Sequence, residues 1–358
     1  MQVEQSDDGG FLVAWMHGWN PTFGGFRRLN PNGGPATEPR RMTVPPKDVA
    51  ASPGGFWVAG GQRWDTEVLL QRYDSDGESV TPPFQVADTG LSPYGVNIAT
   101  SEDGRFMVVW YEESCSTLET PCYSDGGWAR SFDANGDPLS DTFELEINSD
   151  ETQTEVVSIG PDAFVVSASD YYHHGPTIGL AIDSVGEPLG ASFPFDDVQT
   201  VERLSSGDLI AAWAPRAFPS DSLFVRRYSP SGEPRSPIVE VASCESGSEC
   251  FFRRLFALEP GLYDDFLVVW QEELQSSDDI YARWYGPTMN GSAPTLVAEP
   301  EYRADAPPAV QLGLDGSFLV VWGDPGSEGV FGRFVTTPVT FADGFESGDT
   351  SFWSVTVP

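Results

Sequence analysis

Carboxylates are the groups in this sequence whose types and spacing come closest to catalytic chemistry. Glu112-Glu113 and Glu272-Glu273 follow a tryptophan at equivalent places in two similar segments. Two acids on one face can serve glycoside hydrolysis, one protonated and the other acting as base or nucleophile about 5 to 10 Å away. Duplication explains the same residues more simply, as acids inherited at a loop entry. The aromatic and imidazole side chains Trp19, Trp64, Tyr171, Tyr172, His173 and His174 offer a different chemistry, because their faces stack on sugars and apolar groups. His173 and His174 are adjacent rather than spaced as metal ligands, so no metal site and no cofactor is expected. Asp74-Ser-Asp-Gly77 and Asp133-Ala-Asn-Gly-Asp137 have calcium-loop composition but lack the ligand spacing, and they read as turns. A gripping role for the row Arg27, Arg130, Arg226, Arg283 and Arg333 would need convergence on one pocket. A row recurring once per segment points instead to ion pairs or guanidinium stacked on aromatics. No phosphate-cradling loop, nucleophile elbow or Cys-His pair is visible.

Cys115 with Cys122 and Cys244 with Cys250 are two local pairs, each closing a short loop, which suits disulfides and an oxidising compartment. The 358 residues carry 19 Lys+Arg against 54 Asp+Glu, a net charge of -35. That charge repels phosphate backbones and anionic lipid surfaces, so nucleic acid and membrane surfaces are excluded as partners. No apolar stretch is long enough to span a bilayer. At 40% hydrophobic and 13% aromatic residues, the chain nevertheless has ample material for a core.

A repeat positions all these groups. Phe11-Leu-Val-Ala-Trp15 recurs as Phe56-Trp-Val-Ala-Gly60, Phe106-Met-Val-Val-Trp110, Phe164-Val-Val-Ser-Ala168, Leu209-Ile-Ala-Ala-Trp213, Phe266-Leu-Val-Val-Trp270 and Phe318-Leu-Val-Val-Trp322. Successive copies stand 45 to 58 residues apart, so seven units fill the chain. Each run reads as a buried strand after a Gly-containing hairpin, with a short apolar strand before it and two further strands after it. Six of the third strands lead into turns containing Gly33, Gly77, Gly136, Gly186, Gly232 and Gly291. Four antiparallel strands per unit and seven units predict an all-β, seven-bladed β-propeller over 1–341. Its blades lie near 1–45, 46–88, 89–150, 151–196, 197–242, 243–299 and 300–341, and a tail follows over 342–358.

Unit three, Asp103-Gly-Arg-Phe-Met-Val-Val-Trp110 followed by Arg130-Ser-Phe-Asp-Ala-Asn-Gly-Asp-Pro138, resembles the repeats of bacterial secreted propeller proteins. The resemblance implies the fold and export but transfers no reaction. Phe341-Ala-Asp-Gly-Phe-Glu-Ser-Gly-Asp-Thr-Ser-Phe-Trp-Ser354 is similar to a short tail on exported proteins of some Gram-negative bacteria. Met1 aligns with the inside of a first strand and no leader precedes it, which fits either a cytoplasmic protein or, as expected here, a signal peptide and with it a closing strand upstream.

Loops from second to third strands and linkers between blades share one face of a propeller. All four cysteines and Trp19, Trp64, Tyr171, Tyr172, His173 and His174 fall in them. The expectation is therefore a monomeric, secreted or surface-displayed binding or adhesion module, with carbohydrate or another surface protein as ligand and no evident catalytic constellation. The alternative is a carbohydrate-active enzyme, a hydrolase or lyase, using Glu112, Glu113, Glu272 and Glu273.

Overall fold

The computed structural model describes residues 1–16, 24–61, 66–89, 92–114, 123–145, 152–170, 177–215, 222–244, 256–273, 278–300, 307–324 and 329–336. These form seven antiparallel sheets arranged as a seven-bladed β-propeller, with no helix among them. The innermost strands are Gln2–Gln5, Pro46–Ser52, Ser92–Thr100, Thr152–Gly160, Thr200–Arg203, Phe256–Pro260 and Ala309–Leu312. Each apolar run forms the second strand of its blade, from Phe11–Met16 in blade one to Ser317–Asp324 in blade seven.

A half-exposed strand would alternate apolar and polar residues, whereas these runs are apolar apart from the buried Ser167 because both faces are buried between blades. Phe106, Val108 and Trp110 pack back against blade two, while Met107 and Val109 pack forward against blade four. The same division repeats around the ring and gives seven core clusters, one at each blade boundary. The last joins Ala309, Leu319 and Val321 of blade seven to Val3, Phe11 and Val13 of blade one.

The turn after the third strand places its fourth residue in the left-handed region. Gly33, Gly77, Gly136, Gly186 and Gly232 occupy that position with φ between 78° and 92°. Blade six departs from the sequence expectation. Its left-handed residue is Met289 at φ 64°, whose N–H donates to the Gly286 carbonyl at 2.9 Å, and Gly291 lies two residues past the turn. The Met289 side chain packs against the core between blades five and six, which offsets the backbone strain.

Four arginines of the row, Arg130, Arg226, Arg283 and Arg333, prove to be clamps between blades. Arg283 donates from Nε to the Ser292 carbonyl at 2.8 Å and from Nη1 to the Val241 carbonyl of blade five at 2.7 Å. Its guanidinium also lies 5.3 Å from the Tyr285 ring centre. Arg130 reaches the Val86 carbonyl of blade two at 2.7 Å, and Arg226 reaches Asp196 of blade four at 3.1 Å. Replacing Arg283 with methionine keeps the apolar stem but removes the charge-assisted bonds, and it is expected to destabilise the fold by about 2 kcal/mol in urea unfolding.

Blade seven is the exception to the four-stranded pattern. Its described residues form three strands, ending with Gly329–Thr336.

Candidate functional site

The innermost strands surround a central channel of about 900 Å³. Strand alternation divides their side chains into two sets. Val3, Val49, Ile98, Val156, Val201, Leu258 and Val310, one per blade, pair with the middle residue of each apolar run. All seven are apolar and belong to the cores between blades. The residues flanking them line the channel at two levels about 7 Å apart. One level holds Gln2, Asp48, Asn97, Glu155, Thr200, Ala257 and Ala309. The other holds Glu4, Ala50, Ala99, Val157, Glu202, Glu259 and Gln311.

In five of the seven blades the two levels complement each other, whereas blade one carries two large side chains, Gln2 and Glu4. Where Asp48, Asn97 and Glu155 are large, their partners Ala50, Ala99 and Val157 are small or apolar. Blades six and seven reverse this, with Ala257 and Ala309 paired to Glu259 and Gln311.

Channel side chains reach forward to the next blade. Asp48 accepts from the Ile98 N–H at 2.9 Å, and Glu259 accepts from the Leu312 N–H at 3.0 Å and Gln311 Nε2 at 2.9 Å. Gln2 Nε2 donates to the Lys47 carbonyl at 3.1 Å, Glu4 accepts from the Ala51 N–H, and Asn97 donates to the Thr154 carbonyl. These bonds staple neighbouring strands whose backbones otherwise meet only at the channel wall.

Enclosure sets the electrostatics. Loss of water pushes the Asp48 carboxyl up to about 7 and Glu259 up to about 8, against the opposing effect of the N–H groups they accept from. Glu4 and Glu202 are raised well above the carboxylate range, first by burial and then by repulsion from other acids, Glu259 foremost. Enclosure of this kind favours the protonated form of these carboxyls, which can donate as well as accept hydrogen bonds. Among the described residues no cluster of His, Cys, Asp or Glu has the arrangement of a metal site.

Most of the residues singled out in the sequence fall outside the described part of the chain. Trp19, Trp64, Tyr171, Tyr172, His173 and His174 lie outside the described residues, as do Cys115, Cys122 and Cys250. Cys244 follows the fourth strand of blade five, packs on the core between blades five and six, and is not a free thiol. Glu112 and Glu272 sit on the second strands of blades three and six, three blades apart, and neither lines the channel. Glu112 accepts from Trp110 Nε1 at 3.4 Å. Burial and then Asp279, paired across the strands, raise the Glu272 carboxyl. Glu113 and Glu273 are described in backbone only, on the same two strands.

The channel residues carry only a faint signal in the sequence. Each unit carries a polar residue next to the apolar one in its first strand, as in Val3-Glu4, Asp48-Val49 and Leu258-Glu259.

No family model and no curated protein sequence matches the chain. Solved structures resemble it in fold. A protein of unknown function from Dyadobacter fermentans DSM 18053 aligns over 93% of both chains at 12% identity with a TM-score of 0.50. Prolyl oligopeptidase B from Galerina marginata, bound to a 35mer substrate, aligns over 90% of this chain and 46% of its own, at 12% identity and a TM-score of 0.48. The Dos1 propeller aligns over 84% of this chain and 72% of its own, at 13% identity and 0.46. The chain thus spans about half the length of the peptidase. Similarity at these identities shows the fold alone.

Proposed function

We propose that this protein is an exported binding propeller that recognises carbohydrate or a surface protein with the face bearing its second-to-third-strand loops and blade linkers. The observation that carries this reading is the scaffold. Seven buried cores hold the strands that launch all those connections around one mouth of the channel. Loops fixed on such a frame bind with little loss of conformational entropy. Trp19, Trp64, Tyr171 and Tyr172 supply the stacking surfaces, His173 and His174 add polar contacts, and disulfides Cys115–Cys122 and Cys244–Cys250 brace the loops. A glycan array and a surface-protein panel should identify a ligand. Alanine at all four aromatics should then weaken binding at least about a hundredfold, since each stacked ring contributes on the order of 1 kcal/mol. Unchanged affinity would reject the site.

The enzyme reading gains one specific observation, the convergence of Asp48, Glu202 and Glu259 on one channel with carboxyls raised toward neutrality. Hydrolysis or elimination on an oligosaccharide, abolished by Asp48→Asn or Glu259→Gln, would favour it over binding alone.

A further inference from the structure

We propose that the open edge of blade seven is covered by the chain's own C-terminal segment, residues 352–357, added as a fourth strand.

Three observations converge on this edge. The first is its register. In blade one the fourth strand pairs with Phe26, Gly25 and Gly24, and Phe26 itself lies opposite Ala14 of the second strand. The equivalent residues of blade seven are Gly332, Phe331 and Val330, because Gly332 lies opposite Val321. Those three residues of blade one are buried, whereas in blade seven all three are exposed, Phe331 at 43% and Val330 at 39%. An exposed apolar edge with unpaired backbone groups is a template for another strand.

The second is an incomplete clamp. Arg130, Arg226, Arg283 and Arg333 each extend Nη1 to the outer part of the preceding blade, Arg333 reaching the Val297 carbonyl at 2.9 Å. Arg27 of blade one should find its acceptor on the fourth strand of blade seven. Among the described residues it makes the bond from Nε to the Thr37 carbonyl at 2.9 Å and no second one.

The third is reach and pattern. Nine or ten residues join third to fourth strands in the first six blades. Residues 337–351 exceed that length, whereas Val339-Thr-Phe341 begins too soon after Thr336. Fourth strands carry an apolar–polar–apolar triplet, as in Phe84-Gln-Val86, Phe143-Glu-Leu145 and Val239-Glu-Val241. Trp353-Ser-Val355 and Val355-Thr-Val357 repeat it. Tethering gives the segment a high effective concentration at the edge.

Hydrogen exchange tests the proposal on the full chain, on full-length Trp353→Asp/Val355→Asp, and on a chain ending at Phe341 with and without a synthetic peptide of residues 351–358. The proposal expects the amides of 329–336 to exchange at least about tenfold faster in the variant and in the shortened chain. It also expects the peptide to restore their protection, and the second strand of blade three to be unaffected throughout. Equal exchange of 329–336 in full chain and variant, whether fast or slow, would overturn it. So would protection that rises with protein concentration alongside a dimer on size exclusion, which would assign the edge to a second copy. If the variant fails to fold, the peptide arm decides alone.

Discussion

Acidification from about pH 8 to about pH 5 should raise the melting temperature, and the channel carboxyls should account for most of the rise. A carboxyl with a higher pKa folded than unfolded binds its proton more tightly in the native state. Between about pH 4 and pH 7 to 8 the unfolded chain has released protons that Asp48 and Glu259 retain, so stability falls as pH rises through that window. A rise from the ordinary carboxylate range to about 7 or 8 corresponds to about 4 kcal/mol per group at the upper end of the window. Glu4 and Glu202 act in the same direction.

Below about pH 4 the balance reverses. Asp8 is lowered to about 2, and Asp103 and Asp315 are lowered as well, in each case chiefly by a neighbouring serine hydroxyl. The stability they contribute disappears as they protonate, which places the maximum near pH 4 to 5. Calorimetry across pH on the protein and on Asp48→Asn/Glu259→Gln measures this. The double variant should melt several degrees higher at pH 8 and almost unchanged at pH 4.5. Reduced self-repulsion of the net -35 charge has the same sign, but about 0.5 M salt screens it while leaving the buried groups largely untouched. A flat profile in salt would show that the channel carboxyls do not control stability.

Trp57→Ala should be the most damaging single core substitution, costing about 3 to 5 kcal/mol. Trp57 is fully buried between blades two and three, with its ring centre 4.8 Å from Phe106 and 6.0 Å from Phe84. Gly136 of blade three closes over it, and a Cβ there would stand 2.7 Å from the indole. The indole occupies space that backbone on both sides defines, so the cavity cannot collapse. Its Nε1 is buried without a hydrogen-bond partner, so Trp57→Phe loses volume but no bond and should cost less than half as much. Equal losses for the two substitutions in urea unfolding would contradict this account.

The fold was legible because the apolar run, the hairpin before it and the turn after it are local signals that duplication copied seven times. Even the departures were local. The left-handed position of blade six was hidden only because Met289, four residues beyond Tyr285, does what glycine does elsewhere. The channel was harder to see. Glu4 and Asp48 look like ordinary surface acids in a chain with 54 of them, and only the register of each first strand against its apolar run shows that they face inward. The loop aromatics stand out only by residue type and by the side of the ring that propeller topology gives their loops.

The two-level lining of the channel has a consequence for how such a ring can change. In the five blades where a large side chain at one level stands over a small or apolar one at the other, the bore depends on the pair and hardly at all on which member is large. Exchanging Ala257 and Glu259 within one strand would move a carboxyl from one mouth toward the other while leaving the passage equally wide. Descent by duplication could therefore shuffle charge along the axis of the ring step by step, and so alter what the passage attracts without ever reshaping its walls.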